Sequence, residues 1–96
     1  MRLTQQEITI IKSTILDVLT DSTIILFGSR LYDDKRGGDI DLLIQTNHTV
    51  DMKQQIKILA EMELQGIERK VDLLFHTPLT QEQNIVKTAL KEGIIL

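Results

Sequence analysis

The sequence predicts an α+β fold in which a small sheet is flanked by helices, in the order α-β-β-α-β-α. Three short apolar runs, rich in β-branched residues, have the length and composition of strands. Three longer segments carry apolar residues at intervals of three or four, which is typical of amphipathic helices. Because both kinds of element must bury an apolar face, we expect the helices to pack beside the sheet.

Length and composition narrow the class of protein. The 96 residues predict a single domain, 1–96, and the absence of cysteine excludes a disulfide framework and thiolate chemistry. A net charge of −3 and a content of only three aromatic residues disfavour nucleic acid as the main partner. No apolar run approaches the roughly 20 residues of a membrane helix, and the N-terminus lacks the apolar core of a signal peptide. We therefore expect a cytoplasmic protein without a membrane partner.

The first half of the chain is predicted to form a helix and two strands. Thr4 and Glu7 fit a capping box, which opens a helix that runs to about Leu19. The first strand is the continuous apolar run Thr23–Phe27. The second strand starts at residue 39 and continues through Ile44. A polar segment, 46–50, then leads to the second half.

The second half is predicted to add a helix, a strand and a last helix. Asp51 caps a helix over about 52–64, and Gly66 ends it. The predicted buried stripe of this helix consists of Met52, Ile56, Leu59 and Met62. The third strand covers about 70–75 and is broken by Pro78.

The end of the chain combines a helix with an apolar tail. Thr80 and Gln83 fit a second capping box, and Gly93 is the predicted stop of the helix that follows. The tail, 94–96, is expected either to dock on the core or to add a small edge strand.

Two aspartates lie at the start of the second strand. Asp39 and Asp41 are two residues apart, so both side chains should lie on one face of the strand, opposite Ile40. Adjacent carboxylates repel each other, and their oxygens are the ligands that Mg²⁺ prefers. Asp72 interrupts the apolar third strand and would join the pair if that strand lay beside the second. Three carboxylates can hold two metal ions around a phosphoryl group.

A glycine-containing turn follows the first strand. Gly28 and Ser29 offer backbone N–H groups and a hydroxyl that suit a phosphate, and Arg30 flanks them with positive charge. Each feature also has a purely structural interpretation, as a turn, a solvated charge or a polar strand face. Their combination within residues 23–45, together with Asp72, favours a site for phosphate and metal.

The combined motifs resemble a known superfamily. Phe27-Gly28-Ser29-Arg30, the segment 38–44 (GDIDLLI) and Val71-Asp72-Leu73-Leu74 resemble the nucleotidyltransferases that include DNA polymerase beta. The length and element order are similar to those of the minimal nucleotidyltransferases, the MNT proteins of bacteria and archaea. The resemblance covers nearly the whole chain, and it implies a mixed sheet with the aspartate pair on the middle strand.

The resemblance also implies roles for individual residues. Asp39 and Asp41 correspond to the metal-binding pair and Asp72 to the third carboxylate, whereas Gly28 and Ser29 correspond to residues that contact the nucleotide phosphates. The reaction of the family moves a nucleoside monophosphate from a nucleoside triphosphate to a hydroxyl and releases pyrophosphate. We therefore expect a Mg²⁺-dependent nucleotidyltransferase that uses ATP.

The MNT resemblance further implies a partner. Many MNT proteins are encoded beside a helical HEPN protein that acts as a ribonuclease toxin. In such pairs the MNT protein is the antitoxin, and some members transfer AMP from ATP to a tyrosine of the toxin. This implies an antitoxin with a HEPN-type partner, in a homo- or hetero-oligomer.

Two features depart from the typical MNT pattern, and other functions stay open. Nine residues rather than ten separate Ser29 from Asp39, and Gly38 stands where serine is common, which we interpret as a shortened loop.

One alternative is a non-catalytic nucleotide-binding antitoxin module that neutralises its partner by contact. A second is a nucleotidyltransferase for small-molecule hydroxyls, which the lack of a substrate domain disfavours. A third is a purely structural domain.

Overall fold

The computed structural model describes residues 3–27, 39–77, 87 and 90–96. Its helices are α1 (Gln5–Val18) and α2 (Met52–Gln65), and its strands are β1 (Thr23–Phe27), β2 (Ile40–Gln45), β3 (Val71–His76) and β4 (Ile94–Ile95). Residues 87 and 90–92 are also helical, but most of the predicted last helix lies outside the described residues. The predicted α+β class is confirmed, and β4 is added to the predicted order.

The four strands form one mixed sheet in the order β3-β2-β1-β4. β1 pairs antiparallel with both β2 and β4, whereas β2 pairs parallel with β3. The parallel pair requires a crossover connection, which α2 supplies. Both alternatives predicted for the tail are found, since β4 forms an edge strand and Leu96 packs against the main core. The Leu96 N–H extends the ladder by donating to the Ile24 carbonyl at 2.9 Å. The inner position of β2 agrees with the arrangement that the superfamily resemblance implied.

The predicted first helix is confirmed, including its capping box. The Thr4 N–H donates to the Glu7 carboxylate and the Glu7 N–H donates to the Thr4 hydroxyl, both at 3.0 Å. These two bonds pair backbone N–H groups at the start of the helix, which have no carbonyl partner within the helix itself. The helix buries Ile11 and Ile15 completely. Among the described residues, no helix is long and apolar enough to cross a membrane.

The main core lies between the helices and one face of the sheet. Ile40, Leu42 and Ile44 of β2 are fully buried there. A slip of one residue would turn Asp41 into this core, so the burial of the three side chains fixes the strand register. The opposite face carries a smaller cluster of Ile25, Phe27 and Leu43, with Leu74 packed against it.

The predicted buried stripe of α2 is wrong in three of its four residues. Met62 is buried, but Met52 is 67%, Ile56 is 58% and Leu59 is 37% exposed. The second buried position is Ile58, one turn before Met62. The apolar residues of this helix cover a wide arc of its surface. Only Ile58 and Met62, at one edge of this arc, are buried in the core.

Gly66 ends α2, as predicted, and it adopts a left-handed conformation. Its φ is 119°, its N–H donates to the Glu63 carbonyl at 3.2 Å, and the Ile67 N–H donates to the Met62 carbonyl at 3.0 Å. A Cβ atom added at this position would meet nothing within 4 Å. A residue other than glycine is therefore disfavoured at this position only by the positive φ, and not by a steric clash.

We expect Gly66→Ala to lower the free energy of unfolding by about 1–2 kcal/mol, because alanine resists positive φ. Urea unfolding, followed by circular dichroism, measures this change. Leu64→Ala, in the same turn and 80% exposed, is the control and should change stability by less than about 0.5 kcal/mol. Equal stability of the two variants would contradict the proposed strain at Gly66.

Candidate functional site

The register of β2 and β3 places Asp41 beside Asp72. These two residues are direct partners in the parallel pair. Neighbouring strands lie about 4.8 Å apart, and aligned residues of adjacent strands point to the same face. Because Ile40 and Leu42 point into the helical core, the two carboxylates lie on the face of the sheet turned away from α1 and α2. The sequence-based condition that the third strand lie beside the second is thus met.

The surroundings of Asp41 follow from the same register. On its other side, Asp41 is aligned with Phe27, the last residue of β1. Leu43 and Leu74 come next on this face and belong to the small apolar cluster. Asp41 is half-buried at the margin of this cluster. Gly28, Ser29 and Arg30, which follow Phe27 directly in the chain, lie outside the described residues.

Asp39 lies immediately before β2 and is exposed to solvent. The ladder between β2 and β3 begins just beyond it, where the Ile40 N–H donates to the Lys70 carbonyl at 2.9 Å. Asp39 is therefore free of the constraint that the sheet imposes on Asp41. It stands at the end of the sheet where the other two carboxylates lie.

Asp72 forms an ion pair that sequence reasoning did not identify. The ammonium nitrogen of Lys70 lies 3.7 Å from Asp72 Oδ1, and the two side chains are 71% and 48% exposed. Lys70 and Asp72 are two residues apart, so in an extended chain their side chains lie on the same side, and this spacing could have predicted the pair. An exposed pair of this kind contributes at most about 1 kcal/mol, so a divalent cation can displace the lysine.

The three carboxylates fit Mg²⁺ in chemistry, although they do not yet surround one point. In the described part of the chain, no three His, Cys, Asp or Glu side chains are close enough to hold a metal ion. Asp41 and Asp72 are fixed side by side by the sheet, and their oxygens are hard ligands of the kind that Mg²⁺ selects. A cation bound at Asp72 would replace the ion pair of this carboxylate with Lys70.

The comparison with known protein families agrees with this geometry. A family model described as "Polymerase beta, Nucleotidyltransferase" matches residues 6–96. This chain belongs to that nucleotidyltransferase family. The match includes both strands that carry the candidate carboxylates, and it confirms the superfamily part of the resemblance. No curated protein shows significant similarity to the chain.

A second polar cluster lies at the opposite end of the nucleotidyltransferase sheet. Gln45 Nε2 and His76 Nδ1 are 3.2 Å apart, at the paired last residues of β2 and β3. They line a pocket of about 410 Å³ together with Asp21 and Thr46. Gln45 and His76 lie four positions along their strands from Asp41 and Asp72, which corresponds to about 13 Å. Sequence patterns did not identify this cluster, since its members are distant in the chain.

Hydrogen bonds within this cluster lower the pKa of Asp21. The largest cause is the Thr46 hydroxyl, which donates to Asp21 Oδ1 at 3.0 Å. The Asn47 N–H and the nearby His48 add smaller contributions, while desolvation opposes them. A carboxylate with a lowered pKa stabilises the fold above its unfolded-state pKa, and this stabilisation is lost as the pH falls through the folded-state pKa.

We expect Thr46→Val to raise the pKa of Asp21 towards its ordinary value, because the main donor to the charged carboxylate is removed. Carbon-13 NMR titration of the aspartate carboxyl groups measures this pKa directly. The variant should also lose less stability than the wild type on acidification. Thr49→Val, at an exposed position of the same connection, is the control. An unchanged Asp21 pKa in Thr46→Val would contradict the assigned cause.

Proposed function

We propose that this chain transfers a nucleoside monophosphate from a nucleoside triphosphate, with ATP as the expected donor, to a hydroxyl group. The observation that carries the proposal is the alignment of Asp41 with Asp72 on adjacent parallel strands, in a chain of the nucleotidyltransferase family. Carboxylates are costly to hold together without a cation, so their alignment supports a metal-dependent site.

The three carboxylates have separate roles in this proposal. Asp39, Asp41 and Asp72 would hold Mg²⁺, which when bound neutralises the charge of the phosphates. Asp41 supplies a fixed ligand because the strand register holds it. Asp39 lies outside the ladder and can adjust to the bound nucleotide. Asp72 orients the acceptor hydroxyl and takes its proton, which its exposure to solvent permits.

The chemical step is a substitution at the α-phosphorus. The acceptor oxygen forms a bond to this phosphorus, the bond from the phosphorus to the bridging oxygen of the β-phosphate breaks, and pyrophosphate leaves. The acceptor proton passes to Asp72 and then to solvent. Gly28, Ser29 and Arg30 are proposed to bind the triphosphate, and the support for them is their sequence position directly after the strand partner of Asp41.

The proposed acceptor is a tyrosine of a HEPN-type toxin, which makes the chain an antitoxin of the cytoplasm. The support is the similarity to the MNT proteins in length, element order and motifs. In the described sheet β3 is an edge strand that carries Asp72, and an acceptor carried by another polypeptide would approach the carboxylates from this edge.

One observation favours a second candidate function. Asp72 is paired with Lys70, and the described carboxylates do not converge on a single point. A chain that neutralises its partner by contact, with nucleotide as a structural ligand, does not need its three carboxylates to meet at one metal ion. In that case Asp39→Asn would retain neutralisation of the partner, whereas the catalytic proposal requires its loss.

We expect Asp41→Asn to lower the rate of nucleotidyl transfer at least about 100-fold, because a ligand of the essential cation loses its charge. Parallel reactions with Mg²⁺, a lysate of the source cell and ATP labelled at the α- or γ-phosphate measure the transfer. Asp17→Asn, an exposed aspartate of α1, is the matched control and should keep full activity.

Labelling of a protein from the α-phosphate alone, with loss in Asp41→Asn, is the predicted pattern. Labelling from the γ-phosphate alone would instead identify a kinase. Full activity of Asp41→Asn would contradict the role of this carboxylate.

A further inference from the structure

In the described part of the chain, the helix α2 carries an apolar stripe that is exposed to solvent. Met52, Ile56 and Leu59 are spaced by four and three residues, so they form one line along the helix. Their exposed fractions are 67%, 58% and 37%. The solvent face of a helix in a globular protein is normally polar. Neighbouring exposed aliphatic side chains are instead typical of an interaction surface.

A cleft extends this stripe towards the sheet. Its volume is about 560 Å³, and Leu59 lies on its wall together with Ile67 and Val71. Glu63 and Lys70 also line the cleft. Glu68 and Arg69 line the cleft as well, so its walls are apolar and charged in equal measure, and the stripe reaches it only through Leu59.

Within residues 52–65 the charges of α2 are ordered against the helix dipole, whereas Asp51 at the N-cap complements it. Lys53 and Lys57 lie in the first half of the helix, whereas Glu61 and Glu63 lie in the second half. The first turn has no acidic residue and the last turn has no basic residue. Cations near an N-terminus and anions near a C-terminus each disfavour the isolated helix. A neighbouring helix that runs in the opposite direction would place opposite charges, and opposite dipole ends, beside these residues.

We propose that this stripe is a self-association surface on which α2 of two copies packs antiparallel about a twofold axis. Ile56 of each copy then lies against Leu59 of the other, and Lys53 lies beside Glu63. The charge order selects this occupant, because the surface is complementary to itself only in the antiparallel direction. Such an interface uses the same patch on both copies, as twofold symmetry requires.

The position of α2 makes this dimer compatible with an open candidate site. The helix packs on the face of the sheet that buries Ile40 and Leu42, whereas Asp41 and Asp72 occupy the other face. Two helices of 14 residues bury less surface than the roughly 800 Å² per partner of a standard interface. We therefore expect a dimer that dissociates on dilution.

Sedimentation equilibrium of the whole chain over a range of concentrations tests the proposal first. The wild type should shift from monomer to dimer as the concentration rises, and Ile56→Glu should remain a monomer. Thr20→Glu, which adds the same charge at an exposed position outside α2, should dimerise like the wild type. Circular dichroism checks that each variant is folded. A wild type that stays monomeric up to about 1 mM, the range of the weakest specific complexes, would overturn the proposal.

A charge exchange then tests the antiparallel direction. Lys53→Glu and Glu63→Lys should each weaken the dimer roughly tenfold, because two exposed pairs become repulsive at once. An equal mixture of the two variants should regain the affinity of the wild type, since both pairs of the mixed dimer are again attractive. A mixture no tighter than either variant alone would overturn the antiparallel arrangement.

Discussion

The parallel pairing of β2 with β3 is the constraint on which the rest of the structure depends. It aligns Asp41 with Asp72, and its register is held by the burial of Ile40, Leu42 and Ile44 against the helices. These apolar side chains act on the carboxylates without touching them, since alternation along the strand sends neighbouring residues to opposite faces. The hydrophobic core thus positions the polar site, and the crossover through α2 makes the parallel pairing possible.

The two faces of the sheet differ in what they carry. One face holds both helices and nearly all of the large buried side chains. The other carries a small apolar cluster with a carboxylate pair at one end and the hydrogen-bonded Gln45 and His76 at the other. The cluster lies between them, with Asp41 half-buried at its margin, while Asp72 is exposed and forms an ion pair with Lys70.

Local signals predicted most of this fold correctly. The capping box of α1, the cap and stop of α2 at Asp51 and Gly66, and the bounds of β1 all depend on residues close together in the chain, so sequence patterns suffice for them. Asp72 was expected to join the aspartate pair if the third strand lay beside the second, and the parallel pairing meets this condition for Asp41. The sequence-based prediction failed for the buried side of α2, where Met52 and Ile56 are as apolar as Ile58. Only the tertiary position of the helix decides which edge of a wide apolar arc is covered. The ion pair of Lys70 and the contact between Asp21 and Thr46 depend on side-chain positions that periodicity does not specify.

The central claim is that Asp39, Asp41 and Asp72 bind a divalent cation together with a nucleotide. Paramagnetic broadening by Mn²⁺ tests it most directly, with carbon-13 carboxyl signals of aspartate recorded in the presence of a non-hydrolysable ATP analogue. The claim predicts that substoichiometric Mn²⁺ broadens the signals of Asp39, Asp41 and Asp72 first, while those of Asp21 and Asp51 stay sharp. Broadening centred on Asp21 or Asp51, or equal broadening of every aspartate, would contradict it.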